Sequence, residues 1–182
     1  MASRYDDELW ELVPLEPGPP PAHLVEFVRG LGPVGRALDV GCGDGRLTAE
    51  LDAAELTAAD VSGVALERAR RRLPRARLVE LEPDQPIPFD DGGFETVLTV
   101  ETVEHVRDLQ LFLSELRRVL VPGGELALTT PAAPALAPPG EPFSPHLRRF
   151  TARSLRRALD DLGFEVESLR RRRRTLLARA RR

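Results

Sequence analysis

Apolar residues in this chain recur with two periods, and the period switches at glycines and prolines. Leu24, Phe27, Val28 and Leu31 stand three or four apart and predict a helix that stops at Gly32-Pro33. The next run, RALDV over 36–40, is short and predicts a buried strand. Alternation follows. Residues 45–53 predict a helix, 55–61 a strand, and 64–73 a helix with Val64, Leu66, Ala69 and Leu73 apolar, stopped by Pro74. ARLVEL (76–81) and the β-branched FETVLTV (94–100) predict the third and fourth strands. LQLFLSELRRVL (109–120) places Leu109, Phe112, Leu113, Leu116 and Leu120 on one helical face, and Pro122-Gly123-Gly124 ends it. ELALTT (125–130) predicts a fifth strand. Residues 151–164 predict a helix with Thr151 as N-cap and Gly163 at its stop. FEVESL (164–169) predicts a sixth strand, and 170–182 a seventh strand or a frayed tail.

Strand and helix alternate with short connections, which calls for a doubly wound α/β fold. Its sheet is mostly parallel, with helices on both faces. The divisions expected are an N-terminal segment over 1–33, lid or linker, and one domain over 34–182. Within the first, PLEPGPPPA (14–22) is too proline-rich for a helix or central strand. DDELWELV (6–13) predicts a short helix, so Trp10 and Tyr5 could cover a ligand or simply pack. The proline- and alanine-rich stretch 131–150 reads as a long loop, a length usually kept for function.

Composition narrows the picture. No run approaches the length of a membrane span. The acidic N-terminus lacks the order of a secretory signal, so a cytoplasmic protein without membrane association is expected. One cysteine excludes an internal disulfide. Residues 170–182 hold eight arginines and no acid, leaving −11 on residues 1–169. That block invites a nucleic-acid reading, but aromatic residues total only 5%, so stacking platforms are scarce. A charged strand edge that resists aggregation is the competing reading.

The candidate chemistry sits at predicted strand ends, where ligands bind in such sheets. Gly41, Gly43 and Gly45 follow the first strand and are expected to open a helix whose N–H groups face a ligand. A dinucleotide clamp would need G-x-G-x-x-G, and position 46 is Arg46. Asp39 would repel a pyrophosphate but suits a cationic amino-acid group. Asp60 ends the second strand and could accept both hydroxyls of a ribose, or serve as the acid of the next helix N-terminus. Val61 would then lie against an adenine. Glu82 or Asp84 could accept from its amino group, or be plain loop acids. Cys42 reads as a small filler beside the bound ligand, within the cofactor-binding turn. Arg148 and Arg149 could hold an acidic substrate or lead the next helix as solvated charges.

Taken together, LDVGCGDGRL, LTAADVS, PIPFDDGGFETV, VETVEHV, ELRRVLVPGGELALTTP and HLRRFTARSLRRALDDLGFEV resemble the class I S-adenosyl-L-methionine (SAM)-dependent methyltransferases. The resemblance is notably to the small type 11-like enzymes that include ubiquinone-biosynthesis O-methyltransferases. It implies a seven-stranded sheet with a reversed final hairpin, and SAM as cosubstrate with S-adenosyl-L-homocysteine as product. It places SAM against Gly41 and Gly43, its ribose on Asp60, its adenine beside Val61 and Glu82, and its methionine end near Val100 and Glu101. Glu95 departs from the aspartate usual in that family.

Two histidines, His105 and His146, are candidates to remove a proton from a hydroxyl acceptor, or to orient and cap. Glu101, Glu104, His105 and His146 also form an oxygen and nitrogen set that a divalent ion could use. Its E-x-x-E-H spacing resembles metal-dependent RNA-terminus and ubiquinone-pathway methyltransferases. The expected function is methyl transfer to a small-molecule acceptor by a monomer or homodimer, with O-methylation favoured. RNA methylation through the basic tail and noncatalytic SAM binding are the alternatives.

Overall fold

The structure is a computed structural model that describes residues 2–133 and 147–182, with side chains from residue 6. Its elements run α1 (Ala2–Leu12), α2 (Ala22–Arg29), β1 (Val34–Val40), β2 (Ala53–Asp60), α3 (Gly63–Arg72), β3 (Arg77–Glu80) and β4 (Phe94–Val100). They continue as α4 (Leu109–Val119), β5 (Leu120–Pro131), α5 (Ala152–Asp161), β6 (Glu165–Arg172) and β7 (Thr175–Arg181). The strands form one sheet in the order β3-β2-β1-β4-β5-β7-β6. β3, β2, β1, β4 and β5 are parallel, and β7 inserts antiparallel between β5 and β6. The doubly wound, mostly parallel seven-stranded sheet is as expected, and the last arginine-rich segment is its seventh strand.

Alternate residues of each strand face opposite sides. Leu38, Val97, Leu126, Leu128 and Leu176 pack under α4 and α5 with Leu113, Leu116, Leu155 and Leu159. Ala37, Leu98, Ala127 and Leu177 pack under α2 with Leu24 and Val28. Alanines at 37, 58, 59 and 127 are fully buried, so the helices can approach the strands closely. Thr151 and Ser154 bond reciprocally at the start of α5, the cap read from the sequence.

The helix expected over 45–53 is absent. Only a 3₁₀ turn, Thr48–Glu50, forms there. Val34 pairs with Ala53, so the chain leaving Val40 must travel back along the whole of β1. After Gly45 only seven residues remain, and as an α-helix they would cover about 10 Å. The strand is roughly 20 Å long. A more extended path is forced, although Leu51 is still buried. β5 also starts earlier than expected. Its register jumps between Phe94↔Leu120 and Thr96↔Glu125, so Val121–Gly124 bulge out of the ladder.

Candidate functional site

The carboxyl ends of β1, β2 and β4 open into a cavity of about 640 Å³. Its floor is the turn after β1. Gly41 and Gly43 have φ of 81° and 54°, the left-handed region that glycine enters freely. A Cβ on Gly41 would stand 2.3 Å from Thr102 Oγ1, and one on Gly43 would stand 2.6 Å from Trp10 Cζ2. Neither position has room for a side chain. The N–H groups of Gly41 and Cys42 donate to Ala59 O, which leaves that of Gly43 to be held otherwise.

Asp60 holds it. Its Oδ2 accepts from Gly43 N at 2.8 Å, and Oδ1 accepts from Ser62 N at 2.9 Å. The carboxylate thus joins the glycine turn to the start of α3. Burial pushes its pKa upward, and the amide donors pull the other way. Ser62 caps α3 by accepting from Ala65 N, and its hydroxyl donates to Asp7 Oδ1 at 2.6 Å. Asp7 also accepts from Val64 N. Arg68 donates to Val13 O and lies 5.9 Å from the Trp10 ring centroid. These contacts fix α1 to α3, so that Asp6, Leu9 and Trp10 roof the cavity.

A second group of acids lies beyond β4. Glu101 has φ 52° and Asp84 φ 57°, and both line the cavity. Backbone in this region with a side chain attached is disfavoured, and such strain collects at functional sites. Thr129 Oγ1 donates to Glu101 Oε1, and Thr130 Oγ1 donates to Glu104 Oε2, each at 2.9 Å. Glu104 Oε1 is buried without a hydrogen bond and lies 3.9 Å from His105 Nε2. Burial pushes both carboxyls up to about 7, and the charge of Glu104 adds to the effect on Glu101.

The wall over residues 81–87 is pinned from behind. Glu115 on α4 accepts from Ile87 N, and Arg118 donates to Glu115, Ile87 O, Phe89 O and Asp91. Glu115 is held below the usual carboxylate range by Arg118. The sequence reading missed this node. Its signal was an acid inside the apolar face of α4.

Seven of the expected site residues line the cavity: Gly41, Gly43, Asp60, Val61, Glu82, Glu101 and His105. Asp84 lines it as well, so the position leaves the choice between Glu82 and Asp84 open. Asp39, Cys42, Gly45 and Val100 are not lining residues. Asp39 is buried against Thr48 Oγ1 at 2.6 Å, and burial pushes it up to about 7. Cys42 packs with Leu66, Ala69 and Leu73, and burial pushes its thiol up, away from reactivity. Gly45 lets Leu73 and Ala69 of α3 close in. Val100 faces α2 with Leu24 and Val28. The expected helix N-terminus at the glycine turn is not there; the amides of Gly41, Cys42 and Gly43 are taken up by Ala59 O and Asp60 instead. His146 lies outside the described residues. Among the described residues no three His, Cys, Asp or Glu side chains gather to hold a metal ion, and no helix is long and apolar enough to cross a membrane.

The floor and walls fit a nucleoside that carries a positive charge. Bare backbone at Gly41 and Gly43 admits close approach, and Asp60 has lone pairs left for hydroxyl donors. Asp6, Glu82, Asp84, Glu101 and Asp108 outnumber Arg107, which pairs with Asp84, and give the lining an acidic character that attracts a cation.

Residues 38–128 match the family model described as a methyltransferase domain, Methyltransf_11. An uncharacterised methyltransferase of Mycobacterium bovis is 34% identical over 63% of this chain and 60% of its own length. The O-methyltransferase cnsE of Penicillium expansum is 31% identical over 71% of this chain and 51% of its own. The chain therefore spans between half and three fifths of these curated relatives. A SAM-dependent methyltransferase of Aquifex aeolicus has the same fold, with a TM-score of 0.67 over 90% of this chain and 94% of its own, at 20% identity.

Proposed function

The chain belongs to the type 11 methyltransferase-domain family of SAM-dependent enzymes, and from that premise we propose that it methylates a hydroxyl of a small-molecule acceptor. The observation that carries the reading is the Asp60 carboxylate bonded to Gly43 N at the floor of an acid-lined cavity. SAM, when bound, supplies a methyl carbon made electrophilic by its sulfonium. The chain's own tasks are to orient, to exclude water and to take up a proton.

Asp60 accepts the ribose hydroxyls, and Gly41 and Gly43 let the ligand lie on bare backbone. Val61 and the wall around Glu82 and Asp84 receive the adenine. Glu101 faces the cationic end. Trp10 and Leu9 close the roof and keep water out. His105, half exposed at the mouth, accepts the acceptor's hydroxyl proton. His146, a few positions before α5 in sequence, is the second candidate for that task. O-methyltransferase relatives aligned over 71% of this chain support oxygen as the acceptor atom, against an N-methyltransferase relative aligned over 43%.

The test is calorimetric titration of the chain with SAM, S-adenosyl-L-homocysteine and NAD. Binding of the first two and not of NAD is expected, with affinity lost in Asp60→Ala. NAD binding in their place would overturn the reading. Mass spectrometry of the purified protein for co-purified SAM or its product adds an independent check.

A further inference from the structure

The β6–β7 hairpin stands on the same rim of the sheet as the cavity. β7 runs antiparallel to β5, with Thr175 opposite Pro131 and Leu176 opposite Thr130, the residue that holds Glu104. Backbone bonds continue the link. Arg174 O accepts from Ala132 N, Phe150 O accepts from Ala133 N, and Glu104 O accepts from Leu147 N and Arg148 N. The hairpin tip is thus tied through main chain to the loop that carries His105.

Arg173-Arg174 makes the two-residue connection, with Arg172 paired to Thr175. Connections of this length favour Asn-Gly because the backbone enters positive φ. Arg173 has φ 55°. Only two other non-glycine described residues share that region, Asp84 and Glu101, and both line the cavity. Local backbone preference does not account for arginine here.

The charge is also unneutralised. Arg172 pairs with Glu26, Arg179 with Glu125, and Arg181 with Glu167. Among the described residues, Arg170, Arg171, Arg173 and Arg174 meet no carboxylate, and all are exposed. Arg171 Nε donates only to Arg173 O. They lie on the outer strand and its turn, with one sheet edge open beside them.

We propose that the Arg170–Arg174 hairpin is a docking site for an acidic protein surface, which presents the methyl acceptor at the neighbouring cavity. The three strand residues Arg170–Arg172 span about 10 Å and the turn caps them, the reach of a few carboxylates on a folded partner. A nucleic-acid strand following β6 would instead run onto Glu165 and Glu167 of the same strand. The hairpin offers no aromatic ring for a base to stack on. Arginine's planar fork suits bidentate carboxylate recognition.

The presentation of an acceptor rests on the methyl-transfer reading, whereas the docking itself does not. The probe is a fluorescein-labelled oligoglutamate peptide, followed by anisotropy at low salt on the full chain. Arg173→Asn with Arg174→Gly installs the preferred turn, so an equal or higher melting temperature is expected. Peptide affinity is expected to fall about fivefold in that variant, as two exposed charge pairs are lost. Arg170→Gln with Arg171→Gln gives a second reading of the same loss. SAM affinity stays unchanged in both variants, which separates failure of docking from failure of the cofactor reading. The control, Arg71→Gln with Arg75→Gln near the opposite edge, retains affinity. An equal loss in the control, or none in either hairpin variant, overturns the proposal. So does tighter hairpin-dependent binding of a labelled oligothymidylate, or of phosphatidylglycerol vesicles.

Discussion

Asp60 accepts the amide hydrogen of Gly43 at 2.8 Å, across seventeen positions of sequence. One carboxylate therefore shapes the glycine turn and, in the proposed reading, offers SAM its remaining lone pairs. Asp60→Ala removes both services. SAM affinity is expected to fall by about 1–3 kcal/mol, the range of a hydrogen bond to a charged group. Thermal stability should fall with it, because Gly43 N and Ser62 N lose their acceptor. Calorimetry and a melting curve on one preparation read both. Unchanged affinity would detach Asp60 from the ribose.

Gly43 is a second place where fold and site share a residue. Gly43→Ala is expected to destabilise the chain by about 1–2 kcal/mol through its positive φ alone. Overlap of the new methyl with the Trp10 ring adds to this. Trp10→Ala in the same chain should recover only the overlap part. A double-mutant cycle by denaturant unfolding separates the two, and full recovery would mean the backbone there is unstrained.

Much of this arrangement could be read from the sequence, for identifiable reasons. β4 and α4 are marked by strong periodicity and by β-branched or leucine-rich composition, and both lie close to their expected bounds. The missing helix after Gly45 was hidden because Leu47 and Leu51 carry helical spacing while serving only burial. Path length, set by the Val34↔Ala53 register, overruled them. Cavity-lining residues were legible where glycine or a lone acid broke an apolar run, as at Gly41, Gly43 and Asp60. Cys42 and Val100 lie off the cavity lining because neighbours in sequence turn to opposite sides. The roof was hardest to foresee. The Asp7–Ser62 bond joins residues 55 positions apart, and nothing local announces it.

The Glu101–Glu104 pair makes stability depend on pH. The ordinary value of Glu104 is 4.5, and burial raises it to about 7 in the folded chain. Below the ordinary value both states are protonated and the group has no effect. As pH rises between the two values, the unfolded chain releases its proton while the folded chain keeps it. Stability therefore falls across that window and levels off above it. Glu104→Gln removes the penalty, keeps an oxygen for Thr130 Oγ1, and should stabilise the chain by about 1–3 kcal/mol at roughly pH 8. The advantage should vanish towards about pH 4. Unfolding series at both ends measure it, and an advantage independent of pH would contradict a raised Glu104.

Asp7 gives the sharpest test of the roof. It accepts from Ser62 Oγ at 2.6 Å and from Val64 N at 3.2 Å, while α1 otherwise reaches α3 mainly through Trp10 and Arg68. Asp7→Ala leaves Ser62 Oγ to cap α3 alone, so α3 should stay intact while α1 loosens. Amide exchange over residues 2–12 is expected to quicken, and that over 63–72 to change little. Because Trp10 lies against Gly43, a loosened roof should also speed release of SAM, seen as a faster off-rate with little change in on-rate. Exchange that quickens equally in both helices would mean that Asp7 supports α3 itself and holds no lid.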